Sequence, residues 1–156
     1  MIRTLRASAF AACLWAAASP FAALAQGASN FTDLWWNPAE SGWGLNLTHQ
    51  DETIFATLFT YAPGVGTGNT GLWLVMSGGT KQADGSYTGD LFRTNGSAFN
   101  ATPFVPLGGS DVTNVGTMRL RFSDGNNGTL TYTYLGTSVT KAITRQVFST
   151  PVSACN

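Results

Sequence analysis

Residues 33–49 read DLWWNPAESGWGLNLTH, and three of the chain's five tryptophans stand inside this stretch. Pro38 fixes its own φ and biases Asn37 toward an extended backbone, so the run of large apolar side chains is cut sharply. The stretch predicts a short strand ending at Trp36, a turn through Asn37–Pro38, and a second strand opening at Trp43. Gly42 and Gly44 flank Trp43 and leave room for a large ring or a neighbouring backbone to come close. Trp35 and Trp36 are consecutive. On a strand they point to opposite faces, so one ring turns away from whatever buries the other.

The same strand-and-turn grammar continues to the end of the chain. No later stretch keeps a helical period. Short runs rich in Thr, Val, Leu, Tyr, Phe and Trp alternate with clusters of Gly, Asn and Asp, which predicts about eight strands. They are expected near Thr32–Trp36, Trp43–Gln50, Ile54–Tyr61, Gly71–Gly78, Ser86–Thr94, Gly116–Ser123, Leu130–Leu135 and Thr140–Phe148. Asp51-Glu52 suits a tight hairpin, and Ala83-Asp84-Gly85 supplies residues that tolerate positive φ. Met118, Leu120 and Phe122 alternate with Thr117, Arg119 and Arg121, a strand with one wet face. Residues 54–61 and 72–76 are apolar on both faces and need two covers. The segment Asn95–Val115, with Phe99, Phe104, Val105 and Leu107, is the expected second cover or a lid. Consecutive hairpins give an up-and-down antiparallel meander, and closure removes the two exposed edges of an open sheet. The expected fold is therefore all-β, a closed or nearly closed barrel with Thr140–Phe148 pairing back to Thr32–Trp36. A two-sheet sandwich is the alternative.

Composition bounds the setting. Met1–Ala25 carries Arg3 and Arg6, an Ala-rich apolar run and Ala23-Leu24-Ala25, the layout of a secretory signal peptide cut before Gln26. Residues 26–156 then form one domain, secreted or periplasmic, with six basic and eight acidic residues and a formal net charge of −2. No basic patch points to nucleic acid, and no polybasic segment points to anionic lipid. Cys155 is the one cysteine left after the leader, so it stays free or joins two chains in a homodimer.

Residues 35–46 (WWNPAESGWGLN), with Ile54-Phe55-Ala56-Thr57, Trp73-Leu74-Val75-Met76 and the stretch from Gly128 to Gln146, resemble a group of secreted proteobacterial proteins of unknown function. The resemblance covers nearly all of residues 26–156, and its W-W-N-P-x-E-S-G-W-G string is specific. It implies export and a compact β domain, and no reaction. A weaker likeness, of architecture alone, is to the lipocalin and avidin barrels. Those carry Gly-x-Trp on the first strand, where this chain has Asp33-Leu34-Trp35.

Candidate site residues are Trp36, Glu40, Trp43, Asn46, Trp73, Arg93 and Arg145. The tryptophans offer stacking surface for a small molecule or glycan, or simply fill a barrel short of bulk. Trp43 is expected to fill the barrel between its two glycines. Glu40 either works as a carboxylic acid in apolar surroundings, with Asp33 or Asp90 as a second carboxylate, or is a turn residue paired with an arginine such as Arg145. Arg93, Arg119, Arg121 and Arg145 make cross-strand pairs on the wet face, and any that points inward becomes an anchor for an anion. His49 is the chain's single histidine and Ser41 lacks a nucleophile elbow, so a Ser-His-Asp enzyme is not expected. His49, Asp51 and Glu52 are a weak metal cluster and read better as solvated turn residues. No cofactor, metal or catalytic residue is assigned. The leading reading is a non-catalytic binding domain. An interaction or inhibitor module acting on another secreted protein comes second, and a small carboxylate-dependent hydrolase third.

Overall fold

The computed structural model describes residues 29–64 and 68–149, so the leader and Cys155 lie outside the described residues. Eight strands follow in chain order: β1 (Asp33–Trp36), β2 (Gly44–Gln50), β3 (Thr53–Ala62), β4 (Thr70–Lys81), β5 (Tyr87–Thr94), β6 (Val112–Phe122), β7 (Asn127–Tyr134) and β8 (Thr137–Arg145). Each pairs antiparallel with the next, and β8 returns to β1 through Trp35↔Arg145 and Trp36↔Thr144. The sheet is a closed up-and-down barrel. Closure excludes the sandwich.

Alternation sets the interior. Leu45 and Leu47 on β2, Ile54, Ala56 and Leu58 on β3, Leu74 and Met76 on β4, Met118 and Leu120 on β6 and Leu130 on β7 are all buried. Each of these leucine, isoleucine and methionine side chains contributes about 1.5–3 kcal/mol on leaving water. The middle of the barrel is filled by these residues. Trp35 is the buried tryptophan, 1% exposed, while Trp36 beside it is half-buried on the outside. Trp43 is also half-buried, packed against the edge of the core rather than filling it.

Several expected limits move. β8 runs Thr137–Arg145 instead of Thr140–Phe148, because Thr137 pairs with Tyr134 across a two-residue turn in which Leu135 (φ 48°) and Gly136 (φ 86°) are both left-handed. β6 begins at Val112, well before Gly116. Gly116 lets the strand pass: a Cβ there would lie 2.0 Å from the Thr133 carbonyl oxygen. The long connection thus shrinks to residues 95–111, ending in a 3₁₀ turn at Gly109–Asp111. It covers little of the outer wall. Phe55, Phe59, Tyr61 and Trp73 on β3 and β4 remain 43%, 45%, 58% and 65% exposed.

The two ends of the barrel differ. At the end where β1 starts and β8 finishes, Phe31 stacks on Phe122 with ring centroids 3.8 Å apart, and on His49 at 5.3 Å. Trp35 and Tyr87 complete this aromatic plug. The phenol of Tyr87 is 3.0 Å from His49 Nε2, and the Phe31 N–H donates to His49 Nδ1 at 3.3 Å. A ring nitrogen that accepts a backbone N–H carries no proton, so His49 bears its hydrogen on Nε2 and donates to Tyr87. His49 belongs to the plug and is not a solvated turn residue.

Candidate functional site

The Asn37–Pro38 break builds a compact turn. Asn37 Oδ1 accepts the Ala39 N–H at 2.9 Å, and its carbonyl accepts the Glu40 N–H at 3.0 Å. Such Asx turns are what asparagine contributes before a proline. Gly42 (φ 113°) reverses the chain and sends Trp43 back toward the barrel. The turn carries Glu40 and Trp43 over β8, where Lys141 waits. Trp43 Nε1 donates to Glu40 Oε2 at 3.1 Å, Lys141 donates to the same oxygen, and the Lys141 ammonium sits 5.1 Å from the centre of the Trp43 ring. The Lys141 hydrogen bond, aided by Trp43, holds the Glu40 carboxyl below the usual carboxylate range against a smaller opposing effect of desolvation.

A general acid needs the reverse shift. The expected second carboxylates are also elsewhere, since Asp33 is bound to Arg145 at the plugged end and Asp90 stands on β5, which pairs with β4 and β6. Glu40 is an ion-pair partner, and that partner is Lys141 rather than an arginine. The sequence held a signal for Lys141. Val139, Lys141, Ile143 and Arg145 alternate on one face of β8, so a buried Ile143 puts Lys141 on the same inward face.

A hollow of about 500 Å³ lies at each end of the barrel. The one at the plugged end borders Phe31, His49, Glu52, Lys81 and Tyr87. Several of its polar groups are matched within the protein: His49 with Tyr87 and Phe31, and Lys81 with Glu52 at 3.2 Å. The hollow at the other, open end is walled by Leu72, Val139 and Pro63 and by three phenols, those of Tyr61, Tyr132 and Tyr134. Among the described residues none of these phenols has a hydrogen-bond partner, and no fully sealed side-chain polar atom is left unpartnered. The Tyr132 hydroxyl therefore reaches solvent through the hollow, although its residue is only 9% exposed. Burial raises the Tyr132 pKa, with Lys141 nearby opposing, so the phenol keeps its proton. Sequence reading missed this mouth, because tyrosines alternating with threonines look like any half-buried strand.

The other candidates fall in two further places. Arg145 does point inward, yet its donors are committed within the protein. Nε donates to the Gly125 carbonyl, Nη1 to Asp33 Oδ2 and the Thr32 carbonyl, and Nη2 to the Asn30 carbonyl. Its guanidinium also lies 5.1 Å from the Trp35 ring centre and its side chain is 11% exposed. It is a clasp at the plugged end, with no free face for an anion. Trp36, Asn46 and Trp73 stand on the outer wall, Asn46 in one row with Thr57 and Val75, Trp73 in the next with Phe59 and Gly44. Phe59 lies so tightly over Gly44 that a Cβ there would meet its ring at 2.6 Å. Trp73 and Arg93 do come together, in a cleft of about 470 Å³ under the 95–111 loop. Arg119 and Arg121 pair with Asp84 in the β4–β5 turn rather than with a residue on a neighbouring strand.

Among the described residues no group of three or more His, Cys, Asp or Glu is placed to hold a metal ion. No protein-family model, curated protein or solved structure matches the chain.

Proposed function

We propose that this chain is a secreted or periplasmic, non-catalytic binding domain that takes a small molecule in the open end of its barrel. The observation that carries the reading is the contrast between the ends. The hollows have the same volume of about 500 Å³, but one rests on a plug of bonded aromatic groups while the other is lined by apolar walls and by phenols with no partner among the described residues. Apolar walls hold the body of a ligand at roughly 25 cal/mol per Å² buried, and a few convergent hydroxyls set its orientation. The Tyr132 phenol, kept protonated by burial, is a donor for a ligand oxygen. Native mass spectrometry of protein exported by its own host is the direct test, with Val139→Trp as the control that fills the hollow. A small molecule retained by the parent and absent from a stably folded Val139→Trp variant supports the reading. A parent that retains nothing, and binds nothing from a fragment library, ends it.

A role as an interaction module draws on a different observation. Tyr61, Trp73, Phe104 and Leu135, between 58% and 70% exposed, are large apolar side chains that border the hollows of the open end. Large exposed apolar side chains beside a hollow serve protein contacts as well as ligand grooves. Co-purification of a stoichiometric protein partner from the same preparation selects that role.

A further inference from the structure

The ladder between β4 and β5 is incomplete. It pairs Lys81 with Tyr87, Thr80 with Thr88 and Val75 with Phe92, and no pair follows beyond Phe92. A cleft of about 470 Å³ opens at this place, lined by Trp73, Arg93, Thr94, Phe104 and Leu107. Its far wall is held in position. Asn95 N–H donates to the Asp111 carbonyl at 2.9 Å, Ser97 exchanges two hydrogen bonds with Val105, and Leu107 packs 3.1 Å from where a Gly96 Cβ would stand. Trp73 and Phe104 keep their ring surfaces in solvent, at 65% and 63% exposure.

Charge narrows the occupant. Arg93 forms no ion pair among the described residues, whereas every other described lysine or arginine has a carboxylate within 4.0 Å. No acidic side chain lines the cleft. Asp111 lies in the adjoining hollow that shares Arg93 and Thr94, and its Oδ2 accepts the Gly108 N–H at 2.8 Å. An unmatched guanidinium beside exposed aromatic faces suits a ligand with a flat apolar face, hydroxyls and one carboxylate.

We infer that the cleft between Trp73 and the 95–111 loop is a second binding site, for a carboxylate-bearing sugar residue. The sugar ring lies on Trp73 or Phe104, a hydroxyl meets the Thr94 side chain, and Arg93 takes the carboxylate by a two-point contact. The site does not depend on the barrel mouth being occupied.

Isothermal titration with trigalacturonate, maltotriose and tetraglutamate tests the inference. Trigalacturonate is expected to bind with a Kd below about 1 mM, roughly tenfold or more tighter than neutral maltotriose. Arg93→Gln and Trp73→Ala should each weaken it about tenfold without moving the melting temperature, since neither side chain is in the core. Raising salt to about 0.5 M should weaken the acidic ligand selectively. Equal affinity for both sugars, no binding of the acidic one at about 5 mM, indifference to Arg93→Gln, or stronger binding of tetraglutamate would each overturn it.

Discussion

Trp35 and Trp43 look alike in the sequence and do different things. Trp35 is sealed in the plug, with its Nε1 donating to the Phe31 carbonyl at 3.0 Å. Replacing it by Ala should cost about 3–5 kcal/mol, the range for deleting a large core aromatic. Trp43 is half-buried, and Trp43→Ala should cost clearly less in the same urea melts. The alternation of Trp35 and Trp36 was legible, but which ring faces inward was not. Nor was the partner of Glu40, since 101 residues separate it from Lys141 and only closure brings them together. Asp84 gives a residue-scale pH effect. Hydrogen bonds from the Ser86 hydroxyl and backbone N–H, with Arg119 beside it, lower its pKa from 3.8 to about 2. A depressed folded pKa adds stability that is fully present above the unfolded value and is lost as pH falls through the folded one. Melting temperature should therefore drop between about pH 4 and pH 2, and Asp84→Asn should melt lower at neutral pH with a flatter profile across that window.

At the scale of elements, turn chemistry decides what could be read. The Asp51-Glu52 hairpin and the turn at Gly85 follow familiar preferences, with Asp51 at φ 52° and Gly85 at φ 79°. The β7–β8 hairpin breaks them by placing Leu135 at φ 48° with 70% exposure. Leucine in that region carries a strain of roughly 1 kcal/mol, and Asn-Gly is the favoured pair for such a turn. Leu135→Asn should raise the melting temperature by a few degrees, read by differential scanning calorimetry. Gly116→Ala should do the opposite. The added methyl would collide with the Thr133 carbonyl, so a loss of about 3 kcal/mol or more is expected, or failure to fold. The glycine was visible; the carbonyl against it was not, because that contact belongs to the neighbouring strand.

For the whole molecule, β1 is the weak stave, four residues long with two register pairs to β8. The Arg145 clasp and the Glu40–Lys141 pair flank this short seam and join what the strand does not. Arg145→Lys, which cannot reach all four acceptors with one ammonium, should cost about 2 kcal/mol or more in a denaturant melt. A strand-and-turn pattern was enough to read the meander and its closure. The asymmetry between a plugged and an open end was not, since it depends on which inward residues find partners across the barrel. That asymmetry gives the molecule a polarity. Asn30 and Arg145 touch at the plugged pole, so both ends of the described barrel leave from one place, opposite the mouth. A surface tether fixed at Asn30 or just after Arg145 would hold the barrel by its base with the mouth facing away. For the same reason a short linker between the two ends, with a new cut in the Asp51-Glu52 hairpin, should yield a circular permutant that keeps every stave.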